Sequence, residues 1–268
     1  QPVFNRFEAE RYLLLASDIP GYTIRLTLRP AGTAPGDVLG DVTVQRLAAY
    51  ADLNIQNGGS DALGPWGGMV RGQLFGLTGL GDRTTLGVFT TADLKEQQTV
   101  QFGHDFRAGS QGLGFGGLFT YAWAHPSIEG DSDVKARTLL ATLQADYPFV
   151  RSLKRTLRGS VGLDIVNQDV DLDSADLSRD RLRVAFARLN FDTLSTQLSR
   201  GRSLAEPLWR FSSTLEFRKG LHILGATDNC GPTGAGCTGP GIVPPSRTEG
   251  ISTASVVRAV LYSEYRPV

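Results

Sequence analysis

The sequence LGFGGLFTYAW, at residues 113–123, carries large apolar side chains at alternate positions, namely Leu113, Phe115, Phe119, Tyr121 and Trp123. The positions between them are mostly small or polar. Because successive side chains of a β-strand point to opposite faces, this pattern predicts a strand with one apolar face. The predicted strand is about twice as long as an average one. Its length and its aromatic end are typical of a barrel wall that faces lipid.

The same alternation recurs from Ala48 onward and predicts roughly ten antiparallel strands. In most of these segments one face is apolar, and the other carries charged or hydrogen-bonding side chains. The segment near Arg181–Thr193 changes phase midway, which is compatible with a β-bulge, but the sequence does not define a position for one.

An apolar face of this size needs a covering layer. A soluble sandwich or barrel would bury the face in its own core, but the sequence has no helices to spare for a second layer. Lipid covers the face if the sheet closes into a membrane barrel. The predicted fold class is therefore all-β, a fragment of an antiparallel transmembrane β-barrel. Aromatic residues near the predicted strand ends suit the two membrane interfaces: Trp66, Trp123, Tyr147, Trp209 and Tyr265.

Composition excludes several classes of function. The chain has 27 basic and 27 acidic residues, whereas a nucleic-acid-binding protein usually carries a basic excess. No apolar run approaches the about 18 residues that a membrane-spanning helix needs. The glycine-rich residues 112–117 lie inside a predicted strand rather than before a helix, which argues against a dinucleotide loop. We expect neither an enzyme nor a bound cofactor.

Residues 1–47 have a different pattern from the rest of the chain. A helix is predicted over Asn5–Ala16, with Asn5 as its N-cap, followed by strands at Tyr22–Leu28 and Val38–Leu47. These elements are too few for an independent core. We therefore expect the C-terminal part of a small α/β domain at 1–47 and the N-terminal portion of a barrel at 48–268. Since the chain lacks an initiator Met and ends within a strand pattern, we expect it to be a piece of a longer protein.

The two cysteines, Cys230 and Cys237, lie in a segment rich in Gly and Pro. No histidine or further cysteine is near enough in sequence to complete a four-ligand zinc site, so we predict no bound metal there. A small loop-closing disulfide is the better interpretation, and it implies an oxidising compartment. Two unpaired thiols in a loop are the alternative.

The segment Asp169–Asp180 carries several aspartates in a predicted loop. Its alternating aspartates match the first part of a calcium-binding loop. Ser174 and Asp180, however, stand where such a loop has glycine and glutamate. A solvated acidic loop and a calcium site both remain open here.

Loop lengths predict an orientation. Bacterial outer-membrane barrels have short periplasmic turns and longer outer loops. If residues 1–47 are periplasmic, the outer segments are Gly58–Pro65, Pro126–Lys135, Val166–Asp180 and His222–Gly250. The inner turns are then Thr78–Asp82, Ala108–Gln111, Val150–Leu153 and the longer Leu194–Glu206.

Several short motifs resemble one family. The sequences RYLLL at residues 11–15, DIPG at 18–21 and LRP at 28–30 resemble the end of the second POTRA domain of two-partner-secretion transporters, the haemolysin activation/secretion proteins. LFGL at 74–77 followed by GLGD at 79–82 resembles an early barrel turn of that family. The sequence VRG at 70–72 lacks the tyrosine of the family's functional loop and is interpreted as barrel wall.

The resemblance implies a location and a function. POTRA domains in the periplasm would capture an unfolded secreted protein, such as a haemolysin or an adhesin, and an outer-membrane barrel would pass it outward. The implied partners are that exoprotein and the lipid and lipopolysaccharide of the outer membrane. A barrel-assembly factor of the same superfamily and a passive porin are the alternatives.

Two sets of residues are candidates for contact with an exported chain. The first predicted strand could add a substrate strand to its edge, through Gly21, Tyr22, Ile24, Leu26 and Leu28. The polar side chains of the wall would line a wet pore, where they either contact the exported chain or only solvate the lumen. The predicted pore-lining residues are Arg71, Gln73, Gln101, Arg107, Arg158, Arg210, Glu216 and Arg218.

Overall fold

The computed structural model describes residues 5–32, 37–127, 132–195, 207–231 and 233–266. These residues form one α-helix, α1 (Arg6–Ser17), twelve strands, and 3₁₀ turns at Asp61–Leu63 and Ala235–Cys237. None of the helices in these ranges is long and apolar enough to cross a membrane. The strands are β1 (Tyr22–Pro30), β2 (Val38–Arg46), β3 (Ala49–Gln56), β4 (Gly67–Phe75), β5 (Arg83–Thr91), β6 (Gln97–Ala108), β7 (Leu113–Ala124), β8 (Val134–Arg151), β9 (Arg155–Leu172), β10 (Ala175–Leu194), β11 (Trp209–Gly220) and β12 (Ser255–Tyr265).

The strands form two separate antiparallel sheets. β1 pairs with β2 alone, and β3 to β12 form one sheet in which every strand pairs with its neighbours in sequence. The predicted antiparallel wall of roughly ten strands is confirmed, because the large sheet has ten. The change from one sheet to the other falls between Arg46 and Ala49.

The pairing register gives the large sheet an apolar face and a polar face. Phe119, Ala141 and Ile165 are successive cross-strand partners and mark the apolar face. The middle of this face is open in the described chain, since Leu143 and Val161 are 60% and 58% exposed. A continuous exposed apolar surface indicates contact with lipid or another protein.

β9 and β10 form a long hairpin that the sequence did not predict. The predicted loop at Val166–Asp180 is wrong, because the two strands continue to a tight turn at Asp173 and Ser174. Both turn residues have positive φ, of 50° and 67°, as in the hairpin turns whose twist matches that of the strands.

The apparent change of phase within Arg181–Thr193 does not come from a bulge. The β9–β10 register shifts only between Asp176 and Ser178, and it then runs unbroken to Thr193. Phe186 simply lies on the polar face, where its ring fills the space above Gly162. An added Cβ at Gly162 would lie 2.4 Å from the ring, so the glycine makes room for an apolar side chain among polar ones.

The N-terminal module, defined here as α1, β1 and β2, contacts one end of the large sheet. Asn5 caps α1 as predicted, since its side chain accepts hydrogen bonds from the N–H groups of Phe7 and Glu8. Leu15 of α1 is buried against Gly112 and Pro148, which belong to that end of the sheet. We call this the module end, and the opposite end, with the β9–β10 turn, the far end.

The turn between β4 and β5 is organised by one buried carboxylate. Asp82 accepts hydrogen bonds from the N–H groups of Leu77 and Thr78, each at 2.9 Å, and from the Thr78 hydroxyl at 2.6 Å. Burial opposes ionisation, but the hydrogen bonds from Thr78 and Leu77 outweigh it and lower the pKa of Asp82. The charged Asp82 therefore fixes the turn that contacts Ile19 of the module at Gly81.

We expect Gly112→Ala to destabilise the protein by about 1–3 kcal/mol more than Gly109→Ala, through overpacking. A Cβ at residue 112 would lie 2.7 Å from Leu15 and 2.9 Å from Pro148, whereas one at residue 109 meets nothing within 4 Å. Both glycines have positive φ, so the backbone cost is shared by the two variants. Thermal unfolding in detergent micelles measures the difference, and equal losses would contradict tight packing of α1 here.

Candidate functional site on the polar face

The predicted pore-lining residues lie on the polar face of the large sheet. The register places Arg71, Gln101, Arg107 and Arg158 on this face along β4 to β9. Gln73 and Arg210 lie on the same face near the module end, and Glu216 and Arg218 lie on β11. The structure thus brings all eight side chains to one surface, while their contact with an exported chain stays a prediction.

A network of ion pairs joins β9, β10 and β11 across this face. Arg218 donates hydrogen bonds to Glu216 at 2.9 Å and to Asp164 at 2.5 Å, and Arg188 donates to Glu216 at 2.6 Å. Both guanidinium groups also lie over the ring of Phe186, 5.3 and 5.9 Å from its centroid. Glu216 is 5% exposed, so these two arginines compensate a buried charge.

Sequence analysis missed Arg188, although it holds the same carboxylate as Arg218. The assumed change of phase assigned the first half of β10 to the wrong face, since Leu182, Val184 and Phe186 lie on the polar face. Polar residues occupy alternate positions at Arg188, Asn190 and Asp192. This alternation was the signal that could have assigned Arg188 to the polar face.

A second network joins the N-terminal module to the polar face. Arg151 binds both carboxylate oxygens of Asp18 at 2.8 Å, and Arg158 donates to the same carboxylate at 3.4 Å. Arg158 also lies 3.9 Å from Asp146, which accepts hydrogen bonds from Arg107 at 3.1 and 3.2 Å. We call Asp18, Arg151 and Arg158 the module latch, because they connect α1 to the wall.

Two more arginines on this face form separate cross-strand pairs. Arg83 pairs with Asp105 at 2.8 Å, and Arg71 pairs with Asp52 at 3.0 Å. Each of these two arginines faces a carboxylate on the neighbouring strand. Where the charges are paired in this way, the surface offers hydrogen bonds to a passing polar chain without an uncompensated charge that would hold the chain tightly.

The predicted strand-addition site on β1 is partly occupied. β2 pairs with β1 over its whole length, from Tyr22 to Pro30. Ile24, Leu26 and Leu28 share the face that carries Val42 and Val44 of β2. The Gly21 carbonyl accepts a hydrogen bond from Leu47, and an added Cβ there would lie 2.5 Å from Phe75. Gly21 therefore belongs to the module–sheet contact, and substrate addition to the other edge of β1 stays a prediction.

The cysteine segment covers a backbone edge at the far end. Cys230 and Cys237 form a disulfide with Cα atoms 5.0 Å apart, as the sequence predicted. β10 extends beyond β11 at this end, which leaves its peptide groups without a strand partner there. Residues 221–254 supply that partner: Leu221 and Thr227 donate to carbonyls of β10 at 2.7 and 2.8 Å, and the Pro244 carbonyl accepts from Arg179 at 2.9 Å.

The acidic residues at 169–180 are engaged by arginines rather than arranged around a cation. Asp169 accepts two hydrogen bonds from Arg181, at 2.8 and 2.9 Å, and Asp171 accepts one from Arg137 at 3.0 Å. Within the described ranges, no group of three or more His, Cys, Asp or Glu side chains is placed to hold a metal ion. The predicted acidic loop is thus a hairpin braced by ion pairs.

We expect Asp18→Asn to loosen the N-terminal module, because the latch would lose the charge that binds two guanidinium groups. Hydrogen bonds to charged groups contribute about 1.5–3 kcal/mol, so exchange of the α1 amides should accelerate by about tenfold or more. Asp41→Asn is the control in the same module, since Asp41 pairs with Arg29 on the surface. Hydrogen–deuterium exchange of α1 measures both, and equal protection in the two variants would contradict the latch.

We expect Glu216→Gln to destabilise the wall by about 2 kcal/mol, because Arg188 and Arg218 would keep their charges without the shared carboxylate. Glu249→Gln makes the same change at an exposed position and should cost less than about 0.5 kcal/mol. Urea unfolding in lipid vesicles measures both variants. A loss at Glu216 no larger than at Glu249 would show that the network does not stabilise the sheet.

The chain resembles known proteins in its fold but not in its sequence. No protein-family model matches the sequence, and no curated protein matches it either. CdiB from Escherichia coli is structurally similar, with a TM-score of 0.67 and 13% identity over 81% of this chain and 40% of that protein. The chain therefore spans well under half of the length of the structure that it matches.

Two further structures resemble the chain less closely. CdiB from Acinetobacter baumannii has a TM-score of 0.49 at 13% identity, over 75% of this chain and 38% of that one. BamA from Haemophilus ducreyi, in a form lacking POTRA domains 1–3, has a TM-score of 0.46 at 11% identity, over 79% and 41%. On the E. coli comparison, the predicted fold is confirmed: the chain has the fold of part of CdiB.

Proposed function

We propose that this chain is part of an outer-membrane transporter that exports a large unfolded exoprotein, such as a haemolysin or an adhesin, by two-partner secretion. The observation that carries the proposal is the ten-stranded sheet with the fold of CdiB, joined at one end to a small α/β module. In this proposal the module is the end of a POTRA domain that delivers substrate, and the polar face lines the conducting lumen.

The two faces of the sheet support a membrane barrel. The open apolar face, with Leu143 and Val161 more than half exposed, suits lipid, and the paired charges of the opposite face suit water. An exported chain in such a lumen meets hydrogen-bonding groups, many of whose charges are paired across the strands. It would therefore be solvated without being trapped, which is the requirement for conduction rather than binding.

The turns support a periplasmic N-terminal module. At the module end, β6 and β7 are joined by residues 109–112, and β8 and β9 by 152–154. At the far end, β11 and β12 are joined by residues 221–254, which carry the disulfide. Short turns on the periplasmic side and longer segments outside are the outer-membrane pattern, and a disulfide suits the oxidising exterior.

The first test is the cellular consequence of losing the transporter. We expect deletion of the complete gene to abolish release of the exoprotein encoded beside it, while other outer-membrane barrels keep their abundance. Quantitative proteomics of the medium and of the outer membrane measures both. A general loss of barrels would instead indicate an assembly factor, and unchanged exoprotein release with reduced solute uptake would indicate a porin.

A second experiment tests whether the exported exoprotein passes along the polar face. Gln101 and Phe102 are adjacent on β6 but lie on opposite faces of the sheet. With an exoprotein stalled in transit, a cross-linker at Gln101→Cys should capture it, whereas one at Phe102→Cys should not. Capture at Phe102 alone, or at neither position, would contradict conduction along the polar face.

A further inference from the structure

We infer that the far end of the wall binds an outer-leaflet glycolipid that carries two or more phosphates, the chemistry of lipopolysaccharide. The site is on the apolar side of β8, β9 and β10. The inference rests on the proposed function for its orientation, because the far end must face the cell exterior.

A band of basic side chains, which we call the basic band, crosses the apolar face between its central apolar residues and the far end. On β8, Arg137 is the cross-strand partner of Trp123 and Asp169, which places it on the same face as the apolar residues nearer the middle. The register places five further basic residues on that face, in the parts of their strands nearest the far end, and Arg183 among them is buried: Lys135, Arg179, Arg181, Arg183 and Lys219.

An apolar trough lies on the same face, towards the middle of the sheet. Its volume is about 860 Å³. Small residues, Gly117, Ala141 and Ala145, form its floor, and the phenylalanines at 102, 115 and 119 form one wall. Ala141 is four residues along β8 from Arg137, which corresponds to about 13 Å. A depression lined by apolar atoms at this distance from a charged band fits acyl chains that hang from a headgroup.

An aromatic pair lies at the boundary between the trough and the basic band. Tyr121 and Trp123 on β7 contact each other edge to face, with ring centroids 4.6 Å apart, and Trp123 is the direct partner of Arg137. Aromatic rings with a polar atom favour the boundary between hydrocarbon and headgroups. Along this face the apolar trough is therefore followed by Tyr121 and then by Trp123 beside the basic band, which matches the order of groups along a membrane lipid.

The basic band keeps hydrogen-bond donors for a further anion. Arg137 donates one hydrogen bond among the described residues, to Asp171, and a guanidinium has five N–H groups. Arg137 and Lys135 have half-exposed side chains, and that of Arg179 is 48% exposed. Asp169 and Asp171 on β9 hold the guanidinium groups on either side in fixed orientations and offset part of their charge, so a phosphate would bind through the remaining N–H groups of Arg137 and Arg179.

The spacing of the exposed cations argues for more than one phosphate. Arg137 is on β8 and Arg179 is on β10, so two strand spacings, about 10 Å, separate their backbones. At this separation the two guanidinium groups have room to bind the two phosphates of one sugar headgroup separately. Among the described residues, Lys219 on β11 donates only to a backbone carbonyl, that of Thr253, and extends the band further.

Binding of purified lipopolysaccharide to the complete transporter, measured by native mass spectrometry in detergent, tests the inference. We expect the double variant R137Q/R179Q to bind about tenfold more weakly or worse, which corresponds to about 1.4 kcal/mol. Arg29→Gln should bind as the unmodified protein does, because Arg29 is an exposed, ion-paired arginine on the N-terminal module. Enzymatically dephosphorylated lipopolysaccharide should bind the unmodified protein as weakly as the double variant binds the intact lipid.

Three outcomes would overturn the inference. They are unchanged affinity of the double variant, equal affinity for the dephosphorylated lipid, and equally tight binding of phosphatidylglycerol, which would indicate general attraction to anionic lipid. Labelling of Glu249→Cys in intact cells with a membrane-impermeant thiol reagent reports separately whether the far end is outside. Lipid binding does not depend on an exoprotein. If secretion is unaffected by loss of the transporter but the lipid still binds, the proposed function is rejected and the lipid site is retained.

Discussion

The rest of this structure depends on strand register, because the register decides which solvent each side chain meets. Every strand of the large sheet pairs with its neighbours in sequence, and the alternation on β7 continues across β6 and β8 without loss of phase. A shift of one residue would move a whole set of side chains to the other face. The apolar face, the ion-pair networks and the basic band are therefore three consequences of one pairing scheme.

Much of the fold could be predicted because alternation is a local signal. Leu113–Trp123 is identified as a strand from its own residues, and the structure extends it by one residue, to Ala124. Prediction failed in β9 and β10, where the strands extend beyond the apolar belt and aspartates and arginines occupy both faces. There the sequence resembles a loop, and only the ion pairs and the tight turn at Asp173 and Ser174 show that pairing continues.

The candidate site was predictable in its position but not in its connections. The sequence assigned Arg158 and Arg218 to the polar face, since strand alternation is enough for that. It could not pair Arg158 with Asp18, because that contact joins the C-terminal end of α1 to the large sheet across 140 residues of sequence. Arg188 was hidden for another reason: Phe186 is an apolar residue on the polar face, and it disguised the phase of its strand.

β8, β9 and β10 are longer than the neighbouring strands and extend past them at the far end. This difference explains why the edge-covering segment and the basic band both lie there. These strands have 18, 18 and 20 residues, whereas β7 and β11 have 12 each. The extra length leaves part of the β10 edge beyond β11, and residues on either side of the disulfide loop cover it. The same extension carries basic side chains past the apolar residues on the apolar face. One difference in strand length thus creates both an edge that must be capped and a charged surface next to the apolar face.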